Sequence, residues 1–179
     1  MAEIVEHESL AHVVPRQGLA LVLDKLAMLF TMLGGLTFCA LIVMSIVSIV
    51  GRKLFATPIQ GDVELMQMGA AVGAAAFLPL CELHDHNIKV DALTGWMSER
   101  SRAALDTLGH LLLSVAAALI TWRTGLSVID AMASAEVSTL LSIPMWQPVA
   151  LLVPSFALLT LCGIYRTSRS LGDATGGQS

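Results

Sequence analysis

The chain has 179 residues, of which 55% are hydrophobic and 13% are charged, and its mean hydropathy is +0.75. An ordinary soluble domain is less apolar, with roughly a quarter of its residues charged. The formal charge of −4 reflects no basic excess, and no basic patch is interleaved with aromatic residues, which argues against a nucleic-acid partner. Length and composition therefore predict a single domain, residues 1–179, that lies in a lipid bilayer.

The chain begins with a polar segment that precedes the first apolar block. Its first residues are acidic rather than basic, unlike a secretory signal, so we expect the apolar block to be retained. Residues 19–26 are predicted to form a short amphipathic lead-in along the membrane surface. The first membrane span is predicted at 27–50, because about 20 apolar helical residues cross the hydrocarbon layer. It ends at Arg52 and Lys53.

The second span is predicted at 62–83, so a short turn joins it to the first span as an antiparallel hairpin. Asp62 and Glu64 lie at its start, where the helix dipole stabilises carboxylates. Small residues that allow a neighbouring membrane helix to approach follow as a stripe: Gly69, Gly73 and Ala76.

The segment after the second span is too polar to cross a membrane. Between 88 and 99 its apolar residues, Trp96 among them, share one face of a helix. A short amphipathic helix with a tryptophan on its apolar face is typical of the membrane interface, and a plain loop is the alternative.

Two further spans are predicted, at 103–125 and 145–165, separated by a loop at 127–143 that lacks lysine and arginine. The tail at 166–179 is polar and glycine-rich, and we expect it to be loose. The predicted fold class is all-α integral membrane, with four transmembrane helices and a cytoplasmic interfacial helix between spans two and three.

The distribution of basic residues predicts the orientation. Seven of the ten lysines and arginines fall on the side of the two termini, and the remaining three, Arg52, Lys53 and Arg123, fall on the other side. The positive-inside rule then places both termini in the cytoplasm. Trp96 and Tyr165 lie at the inner interface and Trp122 and Trp146 at the outer one, as an aromatic belt requires.

Glu64 lies slightly deeper in the second span than Asp62, where an ionised acid needs a partner. Arg52 is at the same level on the preceding helix and is the predicted partner. A structural pair, a contact between subunits and an ion-conducting acid remain open as roles for Glu64.

Four neighbouring polar residues raise the possibility of a metal site: Glu82, His84, Asp85 and His86. Only two of them share a helical face, and spacing places no third ligand, so solvated polar residues at the interface are the favoured interpretation. We predict no metal site.

The other candidate chemistry is sparse. His110 in the third span is a possible haem ligand, which makes the anchor subunit of a redox enzyme the alternative function, but no second histidine lies at matching depth in the other spans. The three cysteines lie in separate apolar blocks without metal-ligand spacing and are interpreted as packing residues: Cys39, Cys81 and Cys162. No nucleophile motif or phosphate loop is present, so we predict neither an enzyme nor a cofactor.

Several short motifs follow one another along the chain: Arg52-Lys53, PIQGDVELMQ, HNIKVDAL, RAALDTLGH, Trp122, Glu136-Val137-Ser138 and IPMWQP. Their order resembles the DctQ-like small membrane subunit of tripartite ATP-independent periplasmic (TRAP) transporters. The resemblance covers about residues 27–165 and departs from the family pattern at His84-Asp85-His86.

The resemblance implies a non-catalytic subunit of a three-part importer in the bacterial inner membrane. Its implied partners are a large sodium-coupled membrane subunit, which it would scaffold, and a periplasmic binding protein that delivers an organic acid. The residues expected to make structural or partner contacts are Arg52, Asp62, Glu64, Gly69, Gly73 and Trp96.

Overall fold

The computed structural model describes residues 18–55, 59–84 and 99–176. Apart from one isolated antiparallel bridge, the regular structure of these residues is helical. The four helices are α1 (Gly18–Phe55), α2 (Asp62–Leu83), α3 (Glu99–Ala133) and α4 (Trp146–Gly176). Each is long and apolar enough to cross a membrane, which confirms the prediction of four membrane helices.

Helix α4 is the centre of the arrangement. It packs on each of the other three described helices, and α1 also packs on α2. By contrast, α3 packs directly only on α4 in the part of the chain that the structure describes. The helices therefore lie in the order α1, α2, α4, α3, and the bundle is open rather than closed into a square.

The helices alternate in direction, so the bundle has two ends. The Glu64 end is the one at which α1 and α3 finish and α2 and α4 begin. The Glu82 end is the one at which α2 and α4 finish and α1 and α3 begin. Both limits of the described chain, Gly18 and Gly176, lie at the Glu82 end.

Close packing between α1 and α2 follows from their glycines. A Cβ atom on Gly73 would lie 2.8 Å from the Phe38 ring, and one on Gly34 would lie 2.9 Å from the Cβ of Ala76. Phe38 also stacks on Phe77, with ring centroids 5.9 Å apart. The stripe of small residues in α2 thus contacts α1 of the same chain, where close approach increases van der Waals contact.

Helix α1 begins earlier than its predicted span of 27–50. Residues 19–26 do not form a separate lead-in but continue the same helix, which at 38 residues is about 57 Å long. Ala20, Leu23 and Ala27 recur at helical spacing and are all buried. The helix continues because this stripe packs against the core at the Glu82 end, which includes Leu83 and Cys162.

Helices α3 and α4 also extend beyond their predicted spans. Helix α3 reaches Ala133, with Ala131 buried, so the first seven residues of the predicted loop at 127–143 are helical. The prediction of a loose tail from residue 166 was wrong as far as Gly176. Thr167 is buried, and the hydroxyls of Thr107 and Ser170 lie 2.6 Å apart, so α3 and α4 pack along this extension.

The segment 134–145 between α3 and α4 is a compact turn. Val137 and Pro144 form the antiparallel bridge, and the Met145 amide donates to the Glu136 carbonyl at 2.9 Å. Ala135 and Ser142 adopt positive φ angles of 50° and 52°, which reverse the chain direction within a few residues.

Candidate functional site

Asp62 joins the start of α2 to the last turns of α1. The Ser48 hydroxyl donates to Oδ2 of Asp62 at 2.5 Å, and Arg52 Nη2 lies 3.4 Å from the same oxygen. The other carboxylate oxygen accepts the Val63 amide at 2.8 Å. The carboxylate therefore satisfies an amide at the helix start and also fixes the α1–α2 hairpin.

The predicted pairing of Arg52 with Glu64 was wrong, because Arg52 pairs with Asp62. The reason is helical geometry. Residues two positions apart in the sequence are separated by about 200° around an α-helix, so side chains at i and i+2 do not face the same way. With Asp62 directed at α1, Glu64 faces the opposite side of α2.

Glu64 instead binds the segment between α3 and α4. Its Oε2 accepts the Ser138 hydroxyl at 2.5 Å and the Leu141 amide at 3.3 Å, and its Oε1 accepts the Leu140 amide at 3.0 Å. We call this arrangement the Glu64 clasp. It holds the segment 134–145 over the start of α2, and Gly61, with φ of 77°, leaves room there for the Leu141 side chain.

Sequence reasoning missed the clasp. Two of the three donors are backbone amides, which every residue except proline carries, so no residue type indicated them. Ser138 was part of a recognised motif, but nothing in the sequence connects it to a carboxylate 74 residues away.

A second carboxylate of α2, Glu82, is buried against α3. Its side chain is 1% exposed, and its Oε1 lies 2.6 Å from Nδ1 of His110, which is 8% exposed. The interpretation of Glu82 as a solvated interfacial residue was therefore wrong. This contact joins two helices that do not otherwise pack directly on each other in the described chain.

His84 caps the end of α2 and forms a further acid–histidine contact. Its Nε2 lies 2.7 Å from Oδ1 of Asp24 on α1, with both side chains about one-third exposed. Glu82 and His84, once considered together as metal ligands, thus have different protein partners. No cluster of three metal-ligating side chains occurs in the described ranges, and Asp85 and His86 lie outside them.

The predicted contact residues have different positions. Arg52 and Asp62 lie at the α1–α2 hairpin, and Gly69 and Gly73 lie in the seam between these helices. A Cβ on Gly69 would lie 2.9 Å from the Leu41 side chain of α1. Trp96 and the predicted interfacial helix at 88–99 lie outside the described residues, except that Glu99 begins α3.

Four long apolar helices that expose large hydrophobic side chains over much of their length define a multi-pass membrane protein. The family model described as "Tripartite ATP-independent periplasmic transporters, DctQ component" matches residues 41–172. This match covers well over half of the chain, so the chain belongs to the DctQ family, and the resemblance seen in its motifs is confirmed. Comparisons with curated proteins and with solved structures found no match.

Membership of this family indicates the small permease subunit of a TRAP transporter. DctQ is a family of transporter subunits, which are not catalytic, and it associates with other TRAP components. The carboxyl groups of α2 therefore make their contacts with other parts of a transport subunit.

Proposed function

We propose that this chain is the fixed subunit of its transporter, which scaffolds a large sodium-coupled membrane subunit during the import of an organic acid. A periplasmic binding protein would deliver the substrate. In this function the chain holds its partner in place and does not itself conduct the substrate or the ion.

The observation that carries this proposal is the openness of the bundle. In the most apolar 18-residue stretch of α1, only 11% of the residues are buried within the chain. The corresponding fractions for the other three helices do not exceed 28%. The outward apolar faces of α1 and α3 are therefore available to lipid and to helices of a partner subunit. Between α1 and α2 the close glycine contacts leave no space for a path.

The orientation is part of the proposal. We infer that the Glu82 end faces the cytoplasm of a bacterium, with the chain in its inner membrane, because seven of the ten basic residues fall on that side. The amphipathic stretch 88–99, with Trp96, would then lie along the cytoplasmic interface. The Glu64 end would face the periplasm.

In this orientation the Glu64 clasp would order a surface that faces the periplasm. Three hydrogen bonds to one carboxylate hold the segment 134–145 at the surface of the bundle. An ordered surface loses less conformational freedom when a partner binds than a mobile one does. We propose that this segment forms part of the surface that the periplasmic binding protein contacts.

The scaffold function is tested by tryptophan substitutions on the open faces. A Cβ added at Gly35 on α1 or at Gly125 on α3 would meet no other part of this chain within 4 Å, so both positions have open space for a larger side chain. We expect Gly35→Trp or Gly125→Trp to reduce co-purification of the large subunit and substrate uptake together. If both variants assemble and transport normally, these faces are not the scaffold surface.

A binding measurement separates a scaffold from a transport path. The isolated full-length chain in detergent should show no saturable binding of sodium or of the substrate, whereas the assembled transporter should bind both. Saturable binding to this chain alone would contradict the proposal.

Orientation is tested by labelling single cysteines in a variant without the native cysteines. Ala133 and Gly18 are both exposed and lie at opposite ends of the bundle. A membrane-impermeant thiol reagent added to intact cells should label Ala133→Cys and not Gly18→Cys. The reverse pattern would place the Glu82 end outside.

A further inference from the structure

A groove of about 560 Å³ opens between α2 and α4 at the Glu64 end. Its volume lies within the range of roughly 300–1,000 Å³ that is typical of small-molecule sites. The scaffold surfaces of the proposed function are the outer faces of α1 and α3, and only the polar rim of the groove belongs to the segment proposed to contact the binding protein.

One continuous face of α2 forms the first wall. Its lining residues, Glu64, Gln67, Met68, Ala71 and Val72, recur at the spacing of three and four that places side chains on the same helical face. The polar residues come first and the apolar ones follow. The wall therefore changes from polar at the helix start to apolar about one turn further into the span.

Helix α4 forms the second wall with the same polarity. Pro148, Val149 and Leu152 line it with apolar atoms, and the polar side chains near them, Glu136 and Thr139, belong to the segment between α3 and α4. Because α2 and α4 both run inward from this end, the apolar floor lies at membrane depth and the polar rim at the interface. A lipid has the same distribution of polar and apolar groups, so its head group would lie at the rim and its acyl chain on the floor.

The dimensions favour a flexible chain over a partner helix. The α2 wall from Glu64 to Val72 is about 12 Å long. Residues 136–139 line the polar end, and the Glu64 clasp ties this segment to α2. A membrane helix has a diameter of about 10–12 Å and would have to pass this segment in order to leave the bilayer.

The charge at the rim selects the head group. The lining includes two carboxylates, those of Glu64 and Glu136, and no lysine, arginine or histidine. Glu64 already accepts three hydrogen bonds, whereas Glu136 is exposed at the surface. A head group with a terminal ammonium is attracted to this rim, and one with net negative charge is repelled.

We propose that this groove binds one acyl chain of a phospholipid with an amine head group, whose ammonium lies beside Glu136. Phosphatidylethanolamine has this chemistry and phosphatidylglycerol does not. The bound lipid would fill the space between α2 and α4 and leave the outer faces of α1 and α3 uncovered.

Native mass spectrometry of the full-length chain tests the site, with dioleoyl phosphatidylethanolamine and dioleoyl phosphatidylglycerol added in turn. Ala71→Trp fills the groove, and Ala74→Trp is its control, because Ala74 is exposed on the same helix but does not line the groove. We expect one tightly retained phosphatidylethanolamine, about tenfold weaker binding to Ala71→Trp, and unchanged binding to Ala74→Trp.

The head-group contact has its own pair of variants. Glu136→Gln should reduce the preference for phosphatidylethanolamine over phosphatidylglycerol, whereas Asp130→Asn, an exposed acid at the same end, should leave it unchanged. Equal retention of the two lipids by the wild-type chain would overturn the head-group assignment.

The alternative occupant is a helix of the large subunit. The same measurement on the assembled complex should still show the retained phosphatidylethanolamine. Loss of the lipid on assembly, or failure of Ala71→Trp to assemble while Ala74→Trp assembles, would assign the groove to the partner and overturn the proposal. So would equal lipid retention by the two tryptophan variants.

Discussion

Helix α2 carries a glutamate near each end, and the two differ in what contacts their carboxyl groups. Glu64 is partly exposed and accepts hydrogen bonds from a hydroxyl and two backbone amides of one neighbouring segment. Glu82 is almost fully buried and contacts the imidazole of His110 on a different helix. The same residue type in the same helix thus orders a surface segment at one end and joins two separated helices at the other.

The comparison indicates how each end should respond to substitution. Glu64 is partly exposed and Leu140 is exposed, so water can replace part of what the donors lose, and the effect should stay local. Around Glu82 and His110 both side chains are buried, so water cannot replace a lost contact, and such a loss destabilises the fold.

The largest effect is expected for His110→Leu. This change leaves the Glu82 carboxylate buried without its histidine, which typically costs about 3–5 kcal/mol in the free energy of unfolding. Unfolding by dodecyl sulfate in mixed micelles, followed by circular dichroism, measures it. The double variant with Glu82→Leu should recover most of the loss, because apolar residues replace both partners. No recovery would show that the two side chains are not coupled.

The seam between α1 and α2 holds α2 along its length. Disrupting this seam should therefore destabilise both ends of α2 together. Gly73→Leu places a branched side chain against the Phe38 ring, and overpacking of this kind costs about 1–3 kcal/mol. The same unfolding assay measures it, with Gly35→Leu as the control, since Gly35 has open space around its Cβ position. Equal losses from both leucines would mean that the close contact does not contribute.

At the Glu82 end, the exposure of an acid–histidine pair, rather than its residue types, should determine how much free energy of unfolding is lost when one partner is replaced. His84 and Asp24 form the same kind of contact as His110 and Glu82, but both side chains are about one-third exposed. His84→Ala should therefore cost less than about 1 kcal/mol in the unfolding assay, as exposed pairs do. A loss as large as that of His110→Leu would contradict this explanation.

The smallest global effect is expected at the Glu64 end. Glu64→Ala should leave the unfolding midpoint nearly unchanged but accelerate hydrogen exchange at the amides of Leu140 and Leu141 by roughly tenfold, because both lose their acceptor. Asp62→Ala is the matched control, since Asp62 contacts α1 and not this segment. Similar acceleration in the control would show that the effect is not specific to the clasp.

Some of these features were accessible from hydropathy and spacing. The apolar blocks predicted four spans, and the small residues of α2 predicted a helix contact, because both depend on local composition. Helix ends were less accessible. Asp24 and Lys25 interrupt the apolar stretch at 19–26, and the tail is polar, so hydropathy did not assign either to a span. Both are helical, and Leu23 and Thr167 are buried within them.

The partner of each carboxylate depended on the packing of distant segments. Residue types alone made Arg52 an equally good partner for Asp62 or Glu64, and the rotation of α2 about its axis determined which of them faces α1. Glu82 and His110 are 28 residues apart and joined by a polar stretch, so neither appeared as part of a pair. Hydrophobic blocks are recognisable in one dimension because each is contiguous. A hydrogen bond between helices depends on their relative depth and rotation, and these are determined by how each helix packs on its neighbours.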